Sequence, residues 1–202
     1  MKKILSVFLC MVMVLAAASC DTTEETKKTK HNGETHSEQK IDSDKPVLIE
    51  ASEIDVNSNS GFDPDFTFTT TDRDGNTWDE STFSSYKLTM INFWEPWCGP
   101  CVGEIPDLER LYEDYKDKGF QIIGVYSEES MEEDVDEILR DSKVSYPILH
   151  YTTEFDQFQS GYVPTTIFVD GNGHVLKMPN GDPNVIGSNS YNDWASIIDK
   201  LL

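Results

Sequence analysis

The chain has 202 residues, 38% hydrophobic and 26% charged, enough for one domain with a packed core plus tails. Its formal net charge is −21, with only 16 Lys and Arg. That balance excludes nucleic acid as a partner, because such binding needs clustered cations to displace counterions.

Lys2 and Lys3 open the sequence, and Ile4 to Ala18 form a 15-residue, almost wholly apolar run. A bilayer-spanning helix needs roughly 20 such residues, so the run reads as a secretory signal over residues 1–19. It ends Leu15-Ala16-Ala17-Ala18-Ser19-Cys20. Small residues directly before a cysteine resemble the bacterial lipoprotein signal, which implies acylation of Cys20 and a membrane anchor. Ala17 stands where that signal prefers Leu, so cleavage after Ala16-Ala17-Ala18 and an uncleaved anchor remain as alternatives. Each places the rest of the chain outside the cytoplasm. Residues 20–60 then read as a tether. From 21 to 60 there are ten acids, five lysines and no aromatic residue. Such a segment cannot bury enough apolar surface to offset the entropy of ordering it. Its one apolar cluster is Val47-Leu48-Ile49.

The folded domain is expected over 61–202, where 27 acids and 9 basic residues leave a charge of −18. Phe66 to Thr69 and Thr77-Trp78 flank Asp74-Gly75, a hairpin signal. Leu88 to Trp94 reads as a buried strand. A helix follows with apolar positions 101, 105, 108, 112 and 115 on one face. Phe120 to Tyr126 is a second buried strand. Ser130 and Glu133 form a capping-box pattern ahead of Met131, Val135, Ile138 and Leu139. Thr165 to Val169 and Val175-Leu176 are expected as strands joined by Asp170-Gly171-Asn172-Gly173. Ser190 with Asp193 caps a last helix whose apolar face is Trp194, Ile197, Ile198 and Leu201. The order is hairpin, β-α-β, helix, β-β-α. It predicts an α/β fold with a mixed sheet flanked by helices and an N-terminal β-hairpin extension.

Of four cysteines, Cys10 lies in the apolar leader and Cys20 at the processing site. Cys98 and Cys101 remain, in Trp97-Cys98-Gly99-Pro100-Cys101, between a strand and a helix. A sulfur at a helix N-terminus faces unpaired N–H groups and the positive end of the helix dipole, which favour a thiolate. The thiolate is the attacking species in sulfur chemistry. Lowering a cysteine pKa from about 8.5 to about 7 turns a few per cent thiolate into about half near neutral pH. Pro100 fixes φ in the first turn and removes a donor that the turn leaves unused.

With Asn92-Phe93-Trp94 before the motif, Glu104-Ile105-Pro106 after it, and Gly161-Tyr162-Val163-Pro164-Thr165-Thr166 downstream, the chain resembles the thioredoxin superfamily. More narrowly it resembles the TlpA/ResA-type exported thiol–disulfide oxidoreductases. The resemblance implies that Cys98 is the nucleophile and that Cys101 resolves the mixed disulfide, the two forming a redox-active disulfide. It implies that Pro164 is cis beside them and that the backbone of Val163 pairs with an extended substrate segment. Trp97 is expected to shield the site and contribute to substrate binding. Glu104 is expected to act as the local acid–base group, because Asn92 holds the place of the titrating strand acid of cytosolic thioredoxins. The implied partners are disulfide-bearing exported proteins, with the apocytochrome c haem-binding motif as one candidate. A membrane thiol-electron transporter of the CcdA/DsbD kind is the implied electron source. No cofactor and no metal are expected, since zinc commonly needs two such cysteine pairs. Gly99-Pro100 departs from the Glu-Pro and Pro-Pro common in these relatives, so the direction of electron flow stays open.

Two rivals stand beside this reading. A peroxiredoxin-like peroxidase needs Thr three residues before its cysteine, where this chain has Glu95. A non-catalytic binding lipoprotein would use the fold as an adaptor, with both cysteines dispensable. His150 and His174 read as surface or turn residues. The Gly-, Asn- and Pro-rich stretch from Pro179 to Ser190 reads as a connection.

Overall fold

The computed structural model describes residues 66–202. The leader, Cys20 and the tether lie outside the described residues. Among those described, no helix is long and apolar enough to cross a membrane.

The elements run β1 (Thr69–Thr71), β2 (Thr77–Asp79), β3 (Leu88–Phe93), α1 (Gly99–Tyr115), β4 (Phe120–Tyr126), α2 (Glu132–Asp141), β5 (Ile148–His150), β6 (Thr165–Asp170), β7 (Val185–Ile186) and α3 (Tyr191–Leu201). Short 3-10 helices at Glu80–Ser85 and Thr153–Phe158 punctuate them. The main sheet has five strands in the order β5-β4-β3-β6-β7. β3 pairs parallel with β4, and β4 with β5. β6 runs antiparallel to β3 and to β7. The mixed sheet flanked by helices is the expected thioredoxin-like arrangement.

The two-residue period of the strands builds two cores. Leu88, Met90, Phe120, Ile122 and Phe168 face one way, against Ile105, Leu108 and Leu111 of α1, Val135 of α2, and Trp194 and Ile198 of α3. Ile91, Phe93, Ile123, Val125, Ile167 and Val169 face the other way. There the cover is aromatic: Phe66 and Phe68 before β1, and Phe83, Phe155 and Phe158 from the two 3-10 helices. Ring centroids of Phe66 and Phe158 lie 4.9 Å apart, edge to face, an arrangement worth about 0.5–1.5 kcal/mol beyond area burial. The second face is thus closed by 3-10 helices and the hairpin rather than by α-helices.

The β1-β2 hairpin covers the sheet edge beyond β5. Thr70 donates its hydroxyl to the His150 carbonyl at 2.7 Å, and Asp72 forms an antiparallel bridge with Leu149. Arg73 fastens the same hairpin to α2, donating to Tyr126 Oη and Glu132 Oε2, both at 2.6 Å, and to Asp136. A covered edge cannot recruit strands from other chains.

Three local expectations are corrected. β5 is an addition to the expected elements, since a three-residue strand carries almost no periodicity. The Ser130–Glu133 capping box does not form. A 3-10 turn over Glu129–Met131 takes that place, the helix starts at Glu132 behind an uncapped Met131, and the Ser130 hydroxyl donates to Glu128 instead. Val175-Leu176 is not a strand. The turn after β6 closes as expected, with Asp170 N–H to His174 O at 2.9 Å, but only an isolated bridge, Val169 to Val175, follows. Pro179 and Pro183 lack ladder donors, and the chain rejoins β6 only at β7, inside the stretch that reads as a bare connection. By contrast, the Ser190–Asp193 capping box is present on α3.

That β6 turn makes one stability test sharp. A Cβ on Gly171 would sit 2.6 Å from the Tyr86 carbonyl oxygen, whereas one on Gly103 in α1 would meet nothing within 4 Å. Gly171→Ala should therefore cost about 1–3 kcal/mol. Gly103→Ala should gain up to about 1 kcal/mol. Urea midpoints of the two variants, at unchanged m-value, check both signs.

Candidate active site

The chain leaves β3 at Phe93, turns through Trp94 to Trp97, and enters α1 at Cys98. Trp94 is core, as expected, 2% exposed and packed on Tyr126. Cys98 is the N-cap of α1 with extended backbone, φ −88° and ψ 100°, and its sulfur accepts the Cys101 N–H at 3.2 Å. Pro100 sits in the first turn. The two cysteines are disulfide-bonded, with their Cα atoms 5.3 Å apart. Cys98 is 5% exposed and Cys101 1%, so the first sulfur is the one a visiting group reaches. In the reduced pair, the same backbone N–H and the helix dipole would stabilise the Cys98 thiolate.

The loop before β6 brings its own chemistry to this point. The Val163–Pro164 peptide bond is cis, and the Val163 carbonyl oxygen lies 3.5 Å from Cys98 Sγ. Beside them opens a groove of about 440 Å³ lined by Glu95, Trp97, Ser127, Gln159, Gly161, Tyr162 and Val163. Trp97 is 61% exposed and Tyr162 70%, both on its rim. Glu95 holds one wall. Its Oε1 accepts from the Ser127 N–H at 3.0 Å and from the Ser127 hydroxyl, and its Oε2 accepts from the Glu128 N–H at 3.1 Å.

Glu104 lies one turn beyond Cys101, and it is buried, at 4% exposure. Its Oε1 accepts from Asn92 Nδ2 at 3.0 Å, and its Oε2 from the Asn189 backbone N–H at 2.9 Å. Burial dominates and pushes its pKa up to about 7; the donors Asn189, Asn92 and Trp194 pull it down, while Asp107 pushes it up. The Trp194 indole N–H is buried without a hydrogen bond of good geometry, so Asn189 and Asn92 are the donors that count. A carboxyl with a pKa near neutrality can hold or release a proton under working conditions.

The structure therefore brings Cys98, bonded to Cys101, against Val163 and the cis Pro164 beside a groove lined by Trp97 and Val163, with Glu104 one turn further along α1. His150 packs against the Tyr126 ring, and His174 stands half-exposed beside Asp170; neither lines the groove. Among the described residues, no group of three or more His, Cys, Asp or Glu is arranged to hold a metal. Asn189, Glu95, Gln159 and Tyr162 join the site without having been singled out by sequence reasoning. Asn189 acts through its backbone, so no residue type could flag it. Glu95 carries no sequence signal beyond the absence of a threonine.

The sequence profile of the AhpC/TSA family matches residues 63–178. The chain belongs to the AhpC/TSA family. The chain is also similar to curated proteins that carry the ResA name. Thiol-disulfide oxidoreductase ResA of Oceanobacillus iheyensis is 35% identical over 97 residues, covering 47% of this chain and 50% of the relative. ResA of Geobacillus kaustophilus is 32% identical over 122 residues, covering 58% and 67%. The chain spans about half the length of the first of these curated relatives. Solved structures agree on the fold. MTB DsbF, in its mixed oxidized and reduced forms, superposes with a TM-score of 0.58 at 20% identity, over 69% of this chain and 98% of that one. A thiol:disulfide interchange protein of the thioredoxin family from Chlorobium tepidum gives 0.56 at 22%, over 67% and 94%. The likeness in fold thus covers about two thirds of the chain.

Proposed function

We propose that this protein is an extracytoplasmic, membrane-tethered thiol–disulfide oxidoreductase that reduces disulfides of exported proteins. The observation that carries this reading is the Cys98–Cys101 pair at the start of α1, bonded to each other and facing Val163-Pro164 beside an open groove. The reduced pair supplies two electrons. The Cys98 thiolate attacks one sulfur of the partner's disulfide; a Cys98–partner bond forms, and the other partner sulfur leaves as a thiolate and takes a proton. Cys101 then loses its proton to Glu104 and attacks Cys98 Sγ. The mixed disulfide breaks, the Cys98–Cys101 disulfide forms, and the partner departs as a dithiol. An extended partner segment would lie along the groove, pairing with the Val163 backbone and resting on Trp97 and Tyr162.

The oxidised pair must then be reduced again. A membrane thiol transporter of the CcdA/DsbD kind is the electron donor we propose, and the haem-binding cysteines of apocytochrome c are one candidate target. The leader and Cys20 support export and lipid anchoring. The domain charge of −18 favours a neutral or basic docking surface on partners. The peroxidase alternative finds no support at Glu95. Its carboxylate is occupied by Ser127 and Glu128, and no hydroxyl stands at that position.

Insulin-disulfide reduction in the presence of dithiothreitol tests the proposal. The protein should raise the rate well above that of dithiothreitol alone, and its reduction potential should lie nearer about −270 mV than about −120 mV. No acceleration would overturn the reading. Turnover of hydrogen peroxide in its place would favour the peroxidase.

A further inference from the structure

We propose that Asn92 is the positioning residue of Glu104: its side-chain amide orients the buried carboxylate and stabilises the anion that accepts the Cys101 proton. This rests on the exchange reaction proposed above and names the group that sets its proton acceptor.

Asn92 is 2% exposed on β3, on the sheet face turned toward α1. Both N–H bonds of its amide are used. One reaches Glu104 Oε1 and the other Thr166 Oγ1, each at 3.0 Å. Asn92 and Thr166 are directly paired across β3 and β6. The amide is thus anchored on the sheet before it meets α1. The groups around Glu104 offer little else to an anion. Asp107 on its own helix repels it, the Tyr146 phenol before β5 is neutral, and the Trp194 indole of α3 lacks hydrogen-bond geometry. The reduced cysteines would add only negative charge. None of the leading influences on its pKa is a Lys, Arg or His. Two neutral donors, Asn92 Nδ2 and the Asn189 N–H, therefore hold the carboxylate.

The residue type matters. Leu has nearly the same shape but no donor. It would leave the anion with one good hydrogen bond and also strip Thr166 of its partner. Asp would place a second acceptor 3.0 Å away, and two carboxylates at that distance share one proton. Asn supplies a donor without adding a charge, which suits a neighbour that must pass between its two protonation states.

The full protein can be tested without mutation first. In a pH titration followed by NMR, the Asn92 side-chain amide should shift with the same midpoint as the Glu104 carboxyl carbon. That shift should vanish in Glu104→Gln. Asn92→Leu should then raise the Glu104 midpoint, and the matching limb of the pH–rate profile for insulin reduction, by about one pH unit. Thr166→Val, which removes only the anchor, should move both in the same direction by less. A flat Asn92 amide through the Glu104 titration, or an unmoved midpoint in folded Asn92→Leu, would overturn the proposal. Should the wild-type protein exchange no disulfides, the function reading fails by itself, and the two NMR midpoints still decide the role of Asn92.

Discussion

Cys98→Ser should bring insulin reduction down to the rate of the added dithiol alone, while Cys101→Ser should stall with the partner covalently attached. The two outcomes differ because the two sulfurs differ in place. Cys98 caps α1, receives the Cys101 N–H and lies against the carbonyl of Val163, which lines the groove; Cys101 is buried at 1% exposure. Without Cys98 no sulfur can reach a partner's disulfide. Without Cys101 the first attack still proceeds, but nothing inside the protein breaks the mixed disulfide. Mass spectrometry should therefore show a Cys101→Ser–partner adduct that dithiothreitol releases, and none for Cys98→Ser. Loss of the internal disulfide also removes stability, about 2 kcal/mol for so short a loop by the chain-entropy argument. Reduced wild type lacks that bond as well and is the active donor, so instability cannot account for a missing adduct. Equal rates for Cys98→Ser and wild type would defeat the proposed function.

The backbone of this site is legible in the sequence because strong local rules agree there. Leu88 to Phe93 is wholly buried as its composition demands, Cys98 sits at a helix start, and Ser190 with Asp193 makes the cap its pattern specifies. Long-range placement is legible only through resemblance. Nothing within ten residues of Val163 says that it meets Cys98, 65 positions earlier in the chain. The corrections fall where local rules are weak or in conflict. Ser130 and Glu133 fit a capping box, but Ser130 is drawn into a 3-10 turn. Val175-Leu176 has the composition of a strand, yet the prolines at 179 and 183 break the pairing and β6 finds Val185–Ile186 instead. Glu104 falls by helical spacing on the flank of the apolar stripe, and its burial is completed by a contact no local pattern encodes: the Asn189 N–H, 85 residues away.

That burial gives Glu104→Gln an effect with a distinctive shape. In the folded protein the carboxyl holds its proton up to about 7, against an ordinary value of 4.5. Between those values the folded state binds a proton that the unfolded chain has released. Stability must then fall as pH rises through that window, and level off above it. The full span corresponds to about 3 kcal/mol. The amide that replaces the carboxyl cannot titrate, so the variant should be flat on this account. It should also be weaker at low pH, because the protonated carboxyl keeps a second oxygen that can still accept whereas the amide nitrogen cannot, so one of the Asn92 and Asn189 N–H donors loses its partner, a loss of about 1 kcal/mol. The two stability curves should therefore cross: wild type more stable near pH 4.5, Glu104→Gln more stable near a pH of about 8. Urea midpoints across that range read the crossing directly, and parallel curves would mean that the carboxyl titrates like an exposed one. The same substitution should slow exchange where wild-type Glu104 is ionised, since the amide cannot take the Cys101 proton and only resolution is impaired. Mixed disulfide should then build up transiently in Glu104→Gln, linking the group that destabilises the fold above neutrality to the step it serves.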